Sequence, residues 1–360
     1  GPVAPLWTQS GGATAASEDT TATEADADWL LLPYASYAPE TKLAGGLVLG
    51  YYPPTPAGTR PSSLQAVATY TQRNQIILQV RPEWYFGGDR WRLDGEAMAS
   101  KYPDSFYGIG GDTPEAYEEP YTSRFGLVDL SLQRILRAAL YVGPRIYVRT
   151  ETDPDVDDAC TEPSARSQTL ACNLVPGADG GVTAGVGVRA TWDRRNSLYA
   201  PTDGVFADAA VMGHSAVIGS DFTFGRGMLD LRGYRSAGPG TLAGNVYLEA
   251  VVGTAPFQVQ PLLGGASRMR GFREGRFRDD VYWATQLAYR VPLFWRLGMA
   301  VFASAGEVAG RIGGDLVRDV EVAGGLGGRL RLTEGGVHGR LDIAYSASGL
   351  QLYISLGEAF

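Results

Sequence analysis

From Gln75 to Phe86, the residues Ile76, Leu78, Val80, Pro82, Trp84 and Phe86 fall on one side of an extended chain. Gln75, Gln79, Arg81, Glu83 and Tyr85 fall on the other. The same period of two recurs. Between Arg90 and Ser100, Arg92, Asp94 and Glu96 oppose Trp91, Leu93, Ala97 and Ala99. Arg145, Tyr147 and Arg149 oppose Ile146 and Val148, and near the end Arg340, Asp342 and Ser346 oppose Leu341, Ile343 and Tyr345. Such alternation is that of a β-strand with one oily and one polar side. The repeats approach the ~9–11 residues that a tilted strand needs to cross a bilayer. Full charges stand mid-strand on the polar side, which a wet lumen tolerates. Trp84, Phe86, Trp91, Trp192 and Trp283 lie on the oily side near strand ends, where aromatic girdles form. The pattern predicts an all-β fold, an antiparallel transmembrane β-barrel of about sixteen strands over residues 29–360.

The predicted strands are 29–37, 43–52, 62–72, 75–86, 89–100, 119–132, 136–149, 181–193, 204–212, 217–232, 241–252, 281–291, 296–306, 318–332, 336–347 and 350–360. The longest gaps, 101–118, 150–180, 253–280 and 307–317, all follow odd-numbered strands. Long outer loops and short periplasmic turns have this asymmetry. The last strand, GLQLYISLGEAF, puts Leu350, Leu352, Ile354, Leu356 and the final Phe360 on one oily face. An aromatic there resembles the sorting signal of bacterial outer-membrane barrels.

Composition agrees with this reading. Mean hydropathy is −0.10, and no apolar run approaches the ~18–20 residues of a membrane helix. The net charge of −8 argues against nucleic-acid binding through a basic face. Residues 1–28 read as a disordered acidic tail, with Gly1-Pro2 the remnant of a protease site. The two cysteines, Cys160 and Cys172, share a polar loop. They suggest a disulfide and an oxidising compartment; two free thiols are the alternative.

Five arginines crowd the stretch SRMRGFREGRFRDD, residues 267–280. Within it Met269, Arg270, Gly271 and Phe272 resemble the [V/I]-R-G-[F/Y] motif of the outer-membrane barrel-assembly and two-partner-secretion transporter superfamily, of bacterial surface antigen type. The motif follows the eleventh predicted strand and precedes five more. YAPETKLAGG, FYGIGGDT and WDRRNSLYAPTDG also resemble passages of that family. The resemblance implies a sixteen-stranded barrel of the bacterial outer membrane with a weak seam between first and last strands. It also implies a sixth outer loop folded into the lumen, its motif arginine bonded to the inner wall. Members insert or export polypeptides, most with periplasmic POTRA domains; this chain resembles a member without them, or a barrel excised from them. The family's wall acids are missing: none stands near Gln286 or Ala288, and Ser304 replaces the Asp of an F-x-D-x-G pattern. Glu321 and Asp342, lumen-facing by parity, are the candidate partners of Arg270.

The resulting expectation is a barrel that inserts or translocates polypeptide, or lipid, through a seam loosened by Pro33, Gly349 and Gly357. Its partners would be outer-membrane lipid, a polypeptide client and a periplasmic or outer-membrane protein in place of POTRA domains. The alternative is a passive or gated pore. A lipid hydrolase would need a histidine beside a serine, and the two histidines, His214 in a predicted loop and His338 facing the lumen, sit in no such motif. No catalytic residue, cofactor or metal site is expected.

Overall fold

Strands with one oily and one polar side have two ways to bury the polar side, and here they close into a cylinder with the oily side outward. The structure, a computed structural model, describes residues 27–360 except 57, 153, 157–159, 161–168, 314–315 and 333–336. The expected tail lies outside the described residues up to position 26, and the first strand already begins at Asp28.

Among the described residues sixteen long strands follow in order. They are β1 (Asp28–Ala38), β2 (Lys42–Tyr52), β3 (Ser63–Thr71), β4 (Ile76–Phe86), β5 (Trp91–Phe106), β6 (Glu119–Arg137), β7 (Leu140–Glu151), β8 (Gly181–Asp193), β9 (Gly204–His214), β10 (Phe224–Ala237), β11 (Gly240–Gly253), β12 (Val281–Pro292), β13 (Leu297–Ala309), β14 (Glu321–Arg331), β15 (His338–Ser346) and β16 (Gly349–Leu356). Each pairs antiparallel with its neighbours in the chain, and β1 meets β16 to close the barrel. The outer face is apolar: Leu326, Ile343 and Leu352 are registered neighbours on β14–β16, all exposed. Such a continuous apolar band belongs in lipid. At the periplasmic ends Trp29 packs 4.7 Å from Tyr51, Tyr51 6.3 Å from Trp84, and Phe86 6.4 Å from Trp91. A disulfide joins Cys160 to Cys172 in the connection between β7 and β8.

Several strand ends differ from expectation, and three of the differences change what faces the lumen. β5 continues past Ser100 to Phe106 and pairs with β6 throughout, from Trp91↔Arg134 to Phe106↔Glu119. Tyr102, Phe106 and Tyr121 are aromatic yet face inward, which hid the alternation. Phe106 and Tyr121 each lie 5.4 Å from the ring of Phe257 inside the barrel. β10 begins at Phe224 rather than 217, because Ala216–Ile218 form a 3-10 turn closed by Gly219 at φ +84°. For the same reason His214 ends a strand, facing inward and stacked 4.0 Å from Phe224, instead of lying in a loop.

The third difference is the C terminus. β16 stops at Leu356, and Gly357, at φ +77°, turns the chain into the lumen. Phe360 is therefore not on the oily face with Ile354. It is 1% exposed, in a cluster with Tyr234, Phe302 and Tyr353, and its carbonyl accepts a hydrogen bond from Arg290 Nη2 at 2.7 Å. A side chain other than glycine has no comfortable place at that φ.

A nitroxide at position 354 should collide freely with oxygen dissolved in the bilayer, whereas one at position 360 should be shielded. Equal oxygen accessibility in electron paramagnetic resonance would put the terminus on the lipid face.

Candidate functional site: the lumen plug and the seam

Residues 254–280 connect β11 to β12 and fold into the lumen. Leu262–Leu263 pair with Phe277–Arg278 as a short hairpin, with Met269–Phe272 in its loop. Each of the five arginines has a counterpart. Arg268 lies over the Tyr247 ring at 3.7 Å. Arg273 bonds Asp104 and Tyr107 on the β5–β6 side. Arg276 donates to the Thr113 carbonyl at 2.7 Å, and Arg278 to that of Phe257 at 3.1 Å.

Arg270, 1% exposed, donates from Nη1 to Asp342 Oδ2 at 2.7 Å, with its guanidinium 3.5 Å over the Phe302 ring. Asp342 also accepts from Arg329 Nη1 at 2.6 Å and stands 3.4 Å from Arg340 Nε. Glu358 relieves this crowding by taking Arg329 at 3.0 Å and Arg290 at 3.5 Å. Two carboxylates thus hold four guanidiniums. A buried guanidinium without such a partner would be costly.

Asp342 is the acid that meets Arg270; Glu321 is not. Glu321 opens β14 at the outer rim, with Arg276 as its charged neighbour. Gly327, six residues further along β14, faces Asp342, a separation of about 20 Å at ~3.3 Å per residue. The hydroxyl of Ser304, where an acid was expected, has no hydrogen-bond partner among the described residues, and Gln286 instead donates to the plug carbonyl of Ser267 at 2.8 Å.

Backbone shape accounts for the rest of the motif. Gly271 has φ +117°, and a Cβ there would lie 2.7 Å from Ala323 Cβ on β14. Its N–H donates to Tyr353 Oη at 3.0 Å, its carbonyl accepts from Ser346 Oγ at 2.6 Å, and Tyr353 Oη donates to the Phe272 carbonyl at 3.0 Å. Met269 and Phe272 are fully buried together with Tyr282 and Val308. A Cβ on Gly306 would lie 3.0 Å from Met269 Sδ, and one on Gly327 would overlap Asp342. Sequence reasoning missed Arg329, Arg340, Tyr353 and Glu358. Lumen-side parity marks the first three, while Glu358 follows the turn that ends β16 and carries no periodic signal.

The seam is short. β1 and β2 share eleven registered pairs from Asp28↔Tyr52 to Ala38↔Lys42, but β1 and β16 share one, Tyr37↔Ile354. Extended, that register would set Pro33 opposite Glu358 and Leu31 opposite Phe360. Those partners are inside the lumen, and Pro33 has no N–H to offer. Gly357 is the pivot of this arrangement. Gly349, expected in the seam, instead sits at φ +84° in the β15–β16 turn, opposite Ser346.

At the outer end of the seam, Glu40 lies in the β1–β2 turn. Burial pushes its carboxyl up to about 7, against the pull of Arg273. A raised carboxyl favours the folded arrangement at low pH and loses that contribution as pH rises from the ordinary glutamate value through about 7.

Plug docking should therefore loosen between about pH 5 and 8, and Glu40→Gln should flatten the change, read by hydrogen exchange of residues 264–276. A wild-type profile without slope would refute the assignment. Asp342→Asn should destabilise the barrel by about 3–5 kcal/mol in thermal unfolding, and Glu321→Gln by well under about 1 kcal/mol. Equal effects would mean that Arg270 is held elsewhere.

Comparison with known proteins places this architecture. The sequence profile described as the Omp85 superfamily domain matches residues 60–360. No curated protein sequence matches the chain. Among solved structures, BamA from Haemophilus ducreyi lacking POTRA domains 1–3 is similar at 12% identity and a TM-score of 0.59, over 92% of this chain and 70% of that one. CdiB from Acinetobacter baumannii is similar at 11% identity and a TM-score of 0.56, over 92% of this chain and 65% of that one. CdiB from Escherichia coli is similar at 12% identity and a TM-score of 0.59, over 91% and 62%. The chain thus spans roughly two thirds of these solved relatives, and at such identities the likeness is one of fold. With its closed sixteen-stranded wall, the chain belongs to the Omp85 superfamily and is a β-barrel of the bacterial outer membrane.

Proposed function

We propose that the protein inserts or translocates polypeptide at the outer membrane by opening the β1–β16 seam. The observation that carries this reading is the single registered pair, Tyr37↔Ile354, at the one junction among the sixteen described long strands where the partners are not chain neighbours. An edge of unpaired N–H and C=O groups recruits an incoming strand. Residues 357–360, turned inward, leave the lower edge of β1 open to a client strand. The plug, held by Arg270 and Asp342, keeps the lumen filled while the wall opens. A periplasmic or outer-membrane protein would present the client, and lipid is a second possible cargo. No step requires a nucleophile, metal or cofactor.

A passive pore is the competing reading. The buried plug and the pairing of lumen charges, such as Arg145 with Asp129 at 2.6 Å and Arg189 with Asp94 at 2.6 Å, speak against a wide channel. Large, steady openings of the wild-type protein in single-channel recordings would support it instead. Removing the anchor by Arg270→Ala should raise conductance.

Tyr37→Cys with Ile354→Cys places two thiols at a registered pair, close enough to bridge. Oxidation of this variant should abolish the acceleration of reporter-barrel insertion into liposomes, and reductant should restore it. A Leu326→Cys/Ile343→Cys bridge across β14–β15 should leave it unchanged. Full activity with the seam locked would sink the reading.

A further inference from the structure

We propose that the lipid-facing wall of β2–β7 binds an outer-leaflet lipid with a phosphate-bearing head group. Its acyl chains would lie in a groove of that wall, and its phosphate on Lys101 and Arg124. This site is distinct from the seam, and the proposal does not depend on how polypeptide crosses.

The groove follows from register. Leu47, Ala68, Leu78, Ala99, Gly126 and Thr150 form one row of neighbours across β2–β7. Small side chains on β3, β5 and β6 hollow the wall where the flanking strands carry bulk. The result is an open concavity of 740 Å³, continuous with a second of 460 Å³ toward the outer rim; Leu78, Ala99, Gly126 and Thr150 line both. Each lies within the ~300–1,000 Å³ typical of ligand sites.

The next row outward changes character. Ile76, Lys101 and Arg124 are registered neighbours, and the Thr152 N–H donates to the Arg124 carbonyl at 3.0 Å. Lys101 and Arg124 are directly opposite one another, exposed, on the outer side of the wall. Like charges directly opposite across two strands repel, and beside lipid the repulsion is poorly screened. Arg124 has one weak ion pair, with Asp155 at 3.6 Å, and both side chains are exposed. Among the described residues no ion pair includes Lys101. At the outer end of β15–β16, by contrast, the registered pair Tyr345 and Leu350 is exposed on the lipid side without charge.

Two adjacent cations directly above an apolar groove therefore have one exposed carboxylate, on Arg124 alone, and the lipid can supply the anion that Lys101 lacks. A phosphate fits between them: the Arg124 fork can bind two of its oxygens, and the Lys101 ammonium a third. The chains of the same molecule then run down over Ala99 and Gly126. Neither half of the site selects a lipid alone. The groove accepts any acyl chain, and the cations accept any phosphate.

The test uses the full chain in detergent micelles. Binding of diphosphoryl lipid A, of its dephosphorylated form and of inorganic phosphate is followed by native mass spectrometry. Wild type should bind the phosphorylated form at least about tenfold more tightly than the dephosphorylated one. Lys101→Gln with Arg124→Gln should erase that preference, and Asp155→Asn should strengthen it. Ala99→Leu, which fills the groove, should weaken lipid binding. Retained heat-modifiable migration on gels would show that each variant is folded. Equal binding of both lipid forms by wild type would overturn the proposal, as would an unchanged preference in the double variant. Inorganic phosphate binding as tightly as the lipid would reduce the site to a surface cation pair and equally refute it.

Discussion

A guanidinium buried in the middle of a membrane barrel has to find a carboxylate, and the contact of Arg270 with Asp342 meets that requirement. Much of the interior follows from it. The loop must reach across the lumen to β15, so it leaves the outer surface and fills the cylinder. Gly271 must come within van der Waals range of β14, so a larger residue is excluded. Gly327 must leave room for Asp342 to receive Arg329 as well as Arg270. The excess of positive charge then draws in Glu358, which fixes the path of the C-terminal residues.

That last link connects plug and seam. The residues that would complete β16 against β1 are bonded inside the lumen, where Arg290 and Arg329 hold Glu358, and Arg290 also holds Phe360. An interior charge cluster and an incomplete outer wall are thus two sides of one arrangement. Elsewhere the lumen wall neutralises itself locally, across neighbouring strands in Arg145–Asp129 and between more distant ones in Arg189–Asp94. Such pairs keep the interior polar without leaving single charges exposed to a low dielectric.

Much of this was legible in the chain. Alternation located nearly every strand, because a period of two records directly which side meets lipid and which meets the lumen. The family resemblance of Met269–Phe272, set after the eleventh strand, implied a plug, and parity put Asp342 on the right wall. Parity also admitted Glu321, because it reports the face of a strand and not the height along it. The tall β5–β6 hairpin was cut short because Tyr102, Phe106 and Tyr121 face inward, where aromatic rings break the expected polar pattern. Phe360 was placed on the oily face because the period was carried through Gly357, whose positive φ ends it.

What the sequence determined by itself was therefore local: strands, their faces, the number that close the barrel, and a motif rich in arginine. These depend on the identity of a residue and its near neighbours along the chain. Which carboxylate receives Arg270, where the C terminus turns, how little of β1 touches β16, and which two cations stand side by side above the lipid-facing groove were decided only in the tertiary structure. Each is a matter of register between strands far apart in sequence, and register is set by the closure of the whole barrel, not by any one segment of it.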